Sequence, residues 1–258
     1  MTTEDTTPDD GRSVVAYDNL DRALTIWGAT FYDQTWTAQE KRYLLDEAEA
    51  GFDATNEDPD GFRVWVSTFG LYNAGSLAGY WVAAEHAPTT VPEFIAGMVI
   101  RNHSVGKSFL QNVGEELNCF DIENSPVDAE MHPSAAKAWA EAINATIADQ
   151  GDQVTTSLIV TFIRDHTGGI WPDDLTSTFD DRFHGFWEDG IASWWVENVW
   201  ETWVAEYKQL AEHSYPRVTL PDWLEYAAWG IAKSQAEDYR LSGWAEIHTN
   251  DGVAVFSE

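Results

Sequence analysis

Residues 63–82 read RVWVSTFGLYNAGSLAGYWV. Arg63 to Phe69 alternates side chains and is rich in β-branched and aromatic residues, the composition of a half-buried strand. Leu77 to Ala84 (LAGYWVAA) has the character of a second strand. Between them Tyr72-Asn73-Ala74-Gly75 supplies turn chemistry. The stretch therefore predicts a hairpin-like antiparallel pair, and its neighbours decide what packs on it.

Upstream, residues 53–62 (DATNEDPDGF) read as a polar linker rich in turn formers. Residues 13–52 read as helical, with Thr37 and Glu40 at capping-box spacing and an apolar stripe at Tyr43, Leu44 and Ala48. Residues 1–12 are polar and acidic, the character of a mobile tail. Downstream, Thr90 and Glu93 repeat the capping-box spacing, and Pro92 lies in the first turn of a helix predicted to about residue 101. Residues 115–124 read as a short strand edged with carboxylates. Ser134 is predicted to cap a helix to about 148, residues 153–164 form another, and 172–190 mix turns with a short helix. Residues 193–212 give the clearest helical period, through Val196, Val199, Trp200, Trp203, Val204, Tyr207 and Leu210. A last helix begins near Pro221-Asp222 and runs toward Tyr239. Trp244–His248 and Val253–Phe256 close as a hairpin about Asn250-Asp251-Gly252. Strands, then helices, then helices with strands define an α+β chain rather than a wound parallel sheet. The expected divisions are an acidic tail and helical extension over 1–62, an α+β subdomain over 63–124, a helical middle over 125–165, and a C-terminal α+β subdomain over 166–258.

Charge constrains function more than any local motif. The 258 residues carry 44 acidic against 14 basic side chains, a formal charge of −30. Like charges confined in one body oppose folding. A DNA duplex carries one charge per ~1.7 Å, so thirty would cover roughly 50 Å of axis. A globule of this length has a diameter of roughly 45–50 Å. The charge per unit length thus matches that of DNA. Such a surface disfavours nucleic acid and anionic membrane as partners and favours basic clefts. A salt-adapted solvation coat is the main rival, and the scarcity of Lys (five against nine Arg) fits it too. Disorder does not: 44% of residues are hydrophobic and 14 are Trp. No leader-like segment opens the chain and no apolar run nears eighteen residues, so neither secretion nor membrane insertion is expected. The single Cys119 reads as a small buried apolar residue, consistent with a reducing compartment.

The search for chemistry returns little. Seven His are scattered with no metal spacing, and no metal or cofactor is expected. Gly70–Gly75 lacks the Lys-Ser/Thr of a phosphate loop. No nucleophile elbow appears. Paired carboxylates with Trp platforms suit glycosidases, but 44 carboxylates make some pair inevitable, and most Trp fall at helix-core spacing. The acids themselves form a series: Asp173-Asp174, Asp180-Asp181, Glu188-Asp189, Glu197 and Glu201. Glu197 and Glu201 stand i,i+4, costing a helix about 0.2–0.5 kcal/mol. No Lys or Arg lies between Arg182 and Lys208 to offset them.

These residues carry a family resemblance. Arg63–Val82 resembles the opening block of the ArdA antirestriction proteins: a strand, a hydrophobic-Tyr-Asn turn, then Gly, Leu, Gly and an aromatic pair. Glu115-Glu116 with Phe120-Asp121-Ile122-Glu123 resembles the family's paired acids before an Asp-aromatic-Glu element. Phe179–Trp187 (FDDRFHGFW) followed by Ser193 resembles its aromatic-x-Gly stretch. Leu220–Phe256, with Tyr226, Trp229 and Glu237–Gly243 (EDYRLSG), resembles its closing block. The likeness spans about 63–258. It departs at Ala227-Ala228, at Glu237 in place of Arg and at Phe186 after Gly185, and residues 1–62 have no counterpart.

The resemblance implies an elongated dimer of α+β subunits with short antiparallel sheets at both ends of the matching region. It implies a non-enzyme carried by a phage or mobile element and acting in the host cytoplasm. Its carboxylates would imitate the phosphates of B-form DNA and occupy the DNA groove of a Type I restriction–modification enzyme. The acids expected to do so are Glu115, Glu116, Asp121, Glu123, Asp173, Asp174, Asp180, Asp181, Glu188, Asp189, Glu197, Glu201, Glu237 and Asp238. The competing readings are an acidic mimic or scaffold for another basic DNA-binding protein, and a salt-adapted hydrolase using two of the carboxylates.

Overall fold

The structure, a computed structural model, describes residues 11–31, 34–58, 61–101, 105–114, 116–212 and 223–257. Its internal contacts divide the chain once, into Met1–Asn144 and Ala145–Glu258. The sequence reading places boundaries after 62, 124 and 165 instead. The charge splits almost evenly: 24 acidic against 8 basic side chains in the first unit, net −16, and 20 against 6 in the second, net −14.

The first unit opens with α1 (Gly11–Phe31) and α2 (Ala38–Glu57). In α1, Leu20, Ala23, Leu24 and Trp27 repeat at helical spacing and are buried. The capping box before α2 forms as expected. The Thr37 amide donates to Glu40 Oε2 at 2.7 Å, and the Glu40 amide donates to Thr37 Oγ1 at 3.2 Å. Of the expected stripe, Leu44 is buried, Ala48 is half-buried and Tyr43 is exposed. The expected linker is shorter than its composition suggests, because α2 continues to Glu57. Phe52 and Thr55, at the border of the supposed linker and inside it, are buried, and that burial outweighs poor helix propensity.

Strands β1 (Arg63–Thr68) and β2 (Tyr80–Ala83) pair antiparallel. They are joined through a short helix, α3 (Phe69–Asn73), not a tight turn, because Thr68 Oγ1 accepts from the Leu71 amide and caps it. Helix α4 (Val91–Ile100) follows its own capping box at Thr90 and Glu93, and α5 (Lys107–Asn112) leads into β3 (Leu117–Glu123). The sheet order is β2-β1-β3, all antiparallel. One face buries Val64, Val66, Tyr80 and Val82. Phe52 of α2 and Phe94 of α4 meet the Tyr80 ring at 5.2 and 5.4 Å. Gly97 permits this approach, since a Cβ there would collide with the Tyr80 hydroxyl. The unpaired edge of β2 is partly closed by α2: the Ala83 amide donates to Thr55 Oγ1 at 2.7 Å.

Helix α6 (Pro133–Gln150) contains the division between the units. Ser134 lies inside its first turn and does not cap it as expected. His132 Nδ1 instead accepts from the Ser134 amide at 3.2 Å and pairs with its hydroxyl at 2.7 Å.

The second unit contains α7 (Thr156–His166), capped by Thr155, and α8 (Leu175–Arg182), preceded by a 3₁₀ turn over Pro172–Asp174. Strand β4 (Phe183–Trp187) was not expected from the sequence. All five of its residues are half-buried, so the alternation that marks a strand is missing, and a bulge shifts its register between Phe183 and Phe186. The clearest expected helix proves to be a composite: α9 (Ile191–Trp195), a π-helical turn over Val196–Trp200, and α10 (Glu201–Glu212). Each turn of this kind inserts a residue and rotates the downstream side chains by about 100° around the axis. Trp203, expected on the core stripe, is consequently 57% exposed. Tyr207 and Leu210 fall outside the described side chains. Helix α11 (Trp223–Leu241) precedes the expected hairpin of β5 (Ala245–Thr249) and β6 (Gly252–Phe256). The sheet order is β4-β6-β5. Its core joins Ile191, Ala192 and Trp195 of α9 to Ala232 and Ala236 of α11 and Val255 of β6. A second layer stacks Phe162, Phe179, Phe183 and Phe256.

The molecule is thus α+β, with two small antiparallel sheets separated in sequence by helices.

Candidate acidic interaction surface

Of the fourteen acids expected on the functional surface, thirteen lie among the described residues, and every one of the thirteen is exposed. Glu115 falls outside the described set. Local structure explains the exposure. On β3 the pleat alternates, so Asp121 and Glu123 leave on the opposite side from Ile122. Asp121 stands opposite Trp65 and Glu123 opposite Arg63 in the register. Glu116 precedes the strand, its carbonyl accepting from the Phe69 amide at 3.1 Å.

In the second unit Asp173 and Asp174 form the 3₁₀ turn ahead of α8, where the helix dipole favours negative charge. Asp180 and Asp181 sit at the other end of the same helix, where the dipole opposes them. A stability-driven sequence would avoid that placement. Glu188 and Asp189 occupy the turn between β4 and α9. Glu197 lies in the π turn and Glu201 closes it, its amide donating to the Val196 carbonyl. Glu237 and Asp238 lie on the last turns of α11.

Two of the thirteen are not free anions. Glu123 accepts from Arg63 Nη2, and Glu237 accepts from Arg240 Nη1 at 3.2 Å. The remaining eleven have no basic partner among the described residues. The structure also brings together acids that the sequence keeps apart. Gln150 Nε2 donates to Asp180 Oδ1, thirty residues away, at 2.7 Å and to Asp149 Oδ2 at 3.1 Å, so one amide bridges two carboxylates distant in sequence. Asp149 therefore belongs with the Asp180 group. Its only sequence signal was a place near the end of a helix, too common to single it out.

Glu246, another acid not singled out, has a different role. Its side chain is only 9% exposed. It accepts from the Ile191 amide at 2.7 Å and from Arg240 Nη2 at 2.5 Å. Gly190, at φ +60°, allows the approach, since a Cβ would collide with the Glu246 carboxylate. This acid holds the first turn of α9 in place.

A cavity of about 800 Å³ opens in the first unit between α1, α2 and the loop before α4. Its rim includes Trp27, Trp36, Tyr43 and one carboxylate, Glu40. The Thr37 backbone and hydroxyl bind that carboxylate and hold it below the usual range. Hydrolysis by paired acids needs two carboxyl groups across a scissile bond; none of the fourteen candidates lines this cavity. Among the described residues no group of three His, Cys, Asp or Glu side chains is arranged to hold a metal ion, and no helix is long and apolar enough to cross a membrane. Cys119 is buried, and loss of solvation pushes its thiol up to about 12.

No family model, curated protein or solved structure matches this chain.

Proposed function

We propose that this chain is a protein imitation of DNA, of the ArdA kind, which inhibits a Type I restriction–modification enzyme by occupying its DNA groove. One observation carries the reading: eleven candidate carboxylates are exposed without basic partners among the described residues, on helix ends, turns and a strand edge of an ordered fold. A surface built only for stability would pair these acids or place them at favourable helix ends, as Asp180 and Asp181 are not. Held anions meet basic side chains already spaced for phosphates, and long-range attraction speeds the encounter. Because folding has fixed the carboxylates, less ordering accompanies binding. In this reading the protein catalyses nothing, works as a homodimer in the host cytoplasm and needs no cofactor.

The test is displacement of cognate DNA from a purified Type I enzyme at several salt concentrations. Displacement should weaken steeply as salt rises, as phosphate-driven binding does. Neutralising Asp173, Asp174, Asp180 and Asp181 together to Asn should weaken inhibition about a hundredfold, at ~0.7 kcal/mol per charge, whereas any one alone should cost about threefold. A single substitution that abolishes inhibition in a folded protein would overturn dispersed mimicry. Failure to displace DNA at any salt concentration would remove this enzyme class as the target.

A further inference from the structure

Within a chain of charge −30, residues 61–84 contain no Asp or Glu. The gap coincides with a cluster of rings on the face of the first sheet opposite its buried core. Trp81 and Trp65 lie side by side in register, with Asp121 next across β3. The register between β1 and β3 slips after Trp65, leaving Phe120 as an extra residue on β3. The bulged Phe120 ring stacks on Tyr72 of α3 at 4.6 Å, with planes 11° apart. It also meets Phe69 and Trp65 edge-on at 5.2 and 6.2 Å. Within the described structure this platform remains open to solvent: Tyr72 is 52% and Phe69 39% exposed. Exposed, contiguous aromatic surface on a soluble protein marks a contact site more often than chance.

The occupant follows from charge. Two acids lie on or just before the same strand: Asp121 follows Phe120 and stands opposite Trp65, and the Glu116 backbone accepts from the Phe69 amide; both are exposed and neither has a basic partner among the described residues. A planar cation that lies on a ring and forks onto a carboxylate suits this arrangement, and that description fits guanidinium better than ammonium. We propose that the Tyr72–Phe120 platform is an arginine-reading contact within the acidic surface, and that it seats a guanidinium of the basic protein this chain binds. The proposal rests on the partner being basic, as in the preceding reading, but not on its being a restriction enzyme. It gives the surface two components: dispersed carboxylates for attraction at a distance, and one aromatic anchor for retention at contact. Anchors of this kind, aromatic on one side and Arg on the other, dominate binding energy at many interfaces.

The test uses nona-arginine and nona-lysine peptides, equal in charge, titrated calorimetrically into the full chain at three salt concentrations. The arginine peptide should bind about threefold more tightly, the increment of one exposed cation–π contact. Tyr72→Phe should keep that preference. Tyr72→Ala should abolish it, as should Tyr72→Leu, which retains apolar bulk if the smaller residue unsettles α3. Asp121→Asn should weaken both peptides and flatten their salt dependence. Equal binding of the two peptides by the unaltered protein, no binding by either, or a preference that survives Tyr72→Leu overturns the platform. So does a shift of Tyr72→Leu to a smaller species in sedimentation, which would make the rings a contact between copies of this chain. The readings fail separately. Equal peptide binding leaves DNA displacement untouched, and failed displacement leaves the arginine preference measurable.

Discussion

Two helices of the first unit, α2 and α4, and one of the second, α9, are held at their starts in different ways. In the first, α2 and α4 each carry a local capping box, Thr37 with Glu40 and Thr90 with Glu93, closed within three residues. In the second, α7 has a local cap at Thr155, but neither α8 nor α9 has a side-chain cap of its own. The first turn of α9 is held by Glu246, fifty-five residues downstream, which itself depends on Arg240. A local cap forms with its helix, whereas a remote cap forms only once the sheet is assembled. Acidic residues therefore serve opposite purposes on one chain. A few are spent inside the fold as acceptors, and eleven of the candidate acids stand outside it without a basic partner among the described residues.

The comparison can be broken at its strongest point. Glu246→Ala should destabilise the second unit by about 2 kcal/mol, because it leaves the buried Ile191 amide without its acceptor and removes one of the two carboxylates on Arg240, which keeps Glu237. Hydrogen exchange across α9 should quicken, and unchanged exchange there would show that the remote cap does not matter. Thr90→Ala should cost the first unit only about 1 kcal/mol, the usual loss for a cap. Denaturant midpoints of the two variants measured side by side would rank them; equal losses would erase the distinction.

A smaller effect separates the units by pH. The His184 ring lies against Trp244 at 4.7 Å and Trp194 at 5.5 Å, and this burial lowers its pKa below 6.5. The unfolded chain then binds more protons just below 6.5, so the second unit should lose stability as pH falls through that value. Glu40, in the first unit, is also shifted down, from 4.5, so the stability it contributes is present above 4.5 and lost only as pH falls further. Unfolding midpoints followed from about pH 7.5 to about pH 5.5 should decline in the unaltered protein and flatten in His184→Phe. A decline that survives the substitution would assign it to another group.

The features legible in the sequence obey the same division. Thr37–Glu40, Thr90–Glu93, the strand pair at 63–83 and the closing hairpin are encoded within a few residues, and all appear in the structure. Strand β4 was hidden because its half-buried residues show no alternation. The Asp149–Gln150–Asp180 bridge was hidden because Asp180 lies thirty residues from Gln150. Glu123 and Glu237 are among the acids the sequence reading places on the functional surface, and the structure pairs each with an Arg: Arg63 across the sheet, and Arg240 one helical turn along. The Arg240 pair lies at i,i+3 and could have been read from spacing alone. The Arg63 pair required the strand register, and that depends on a bulge no local signal announces.

The π turn at Val196–Trp200 sets which side chains face outward along this stretch. Its wider winding offsets everything downstream by about 100° relative to an unbroken helix. Trp195, just before the turn, is buried, whereas Trp203, just after it, is 57% exposed. Backbone register, rather than residue type, thus decides which indole of this run meets solvent.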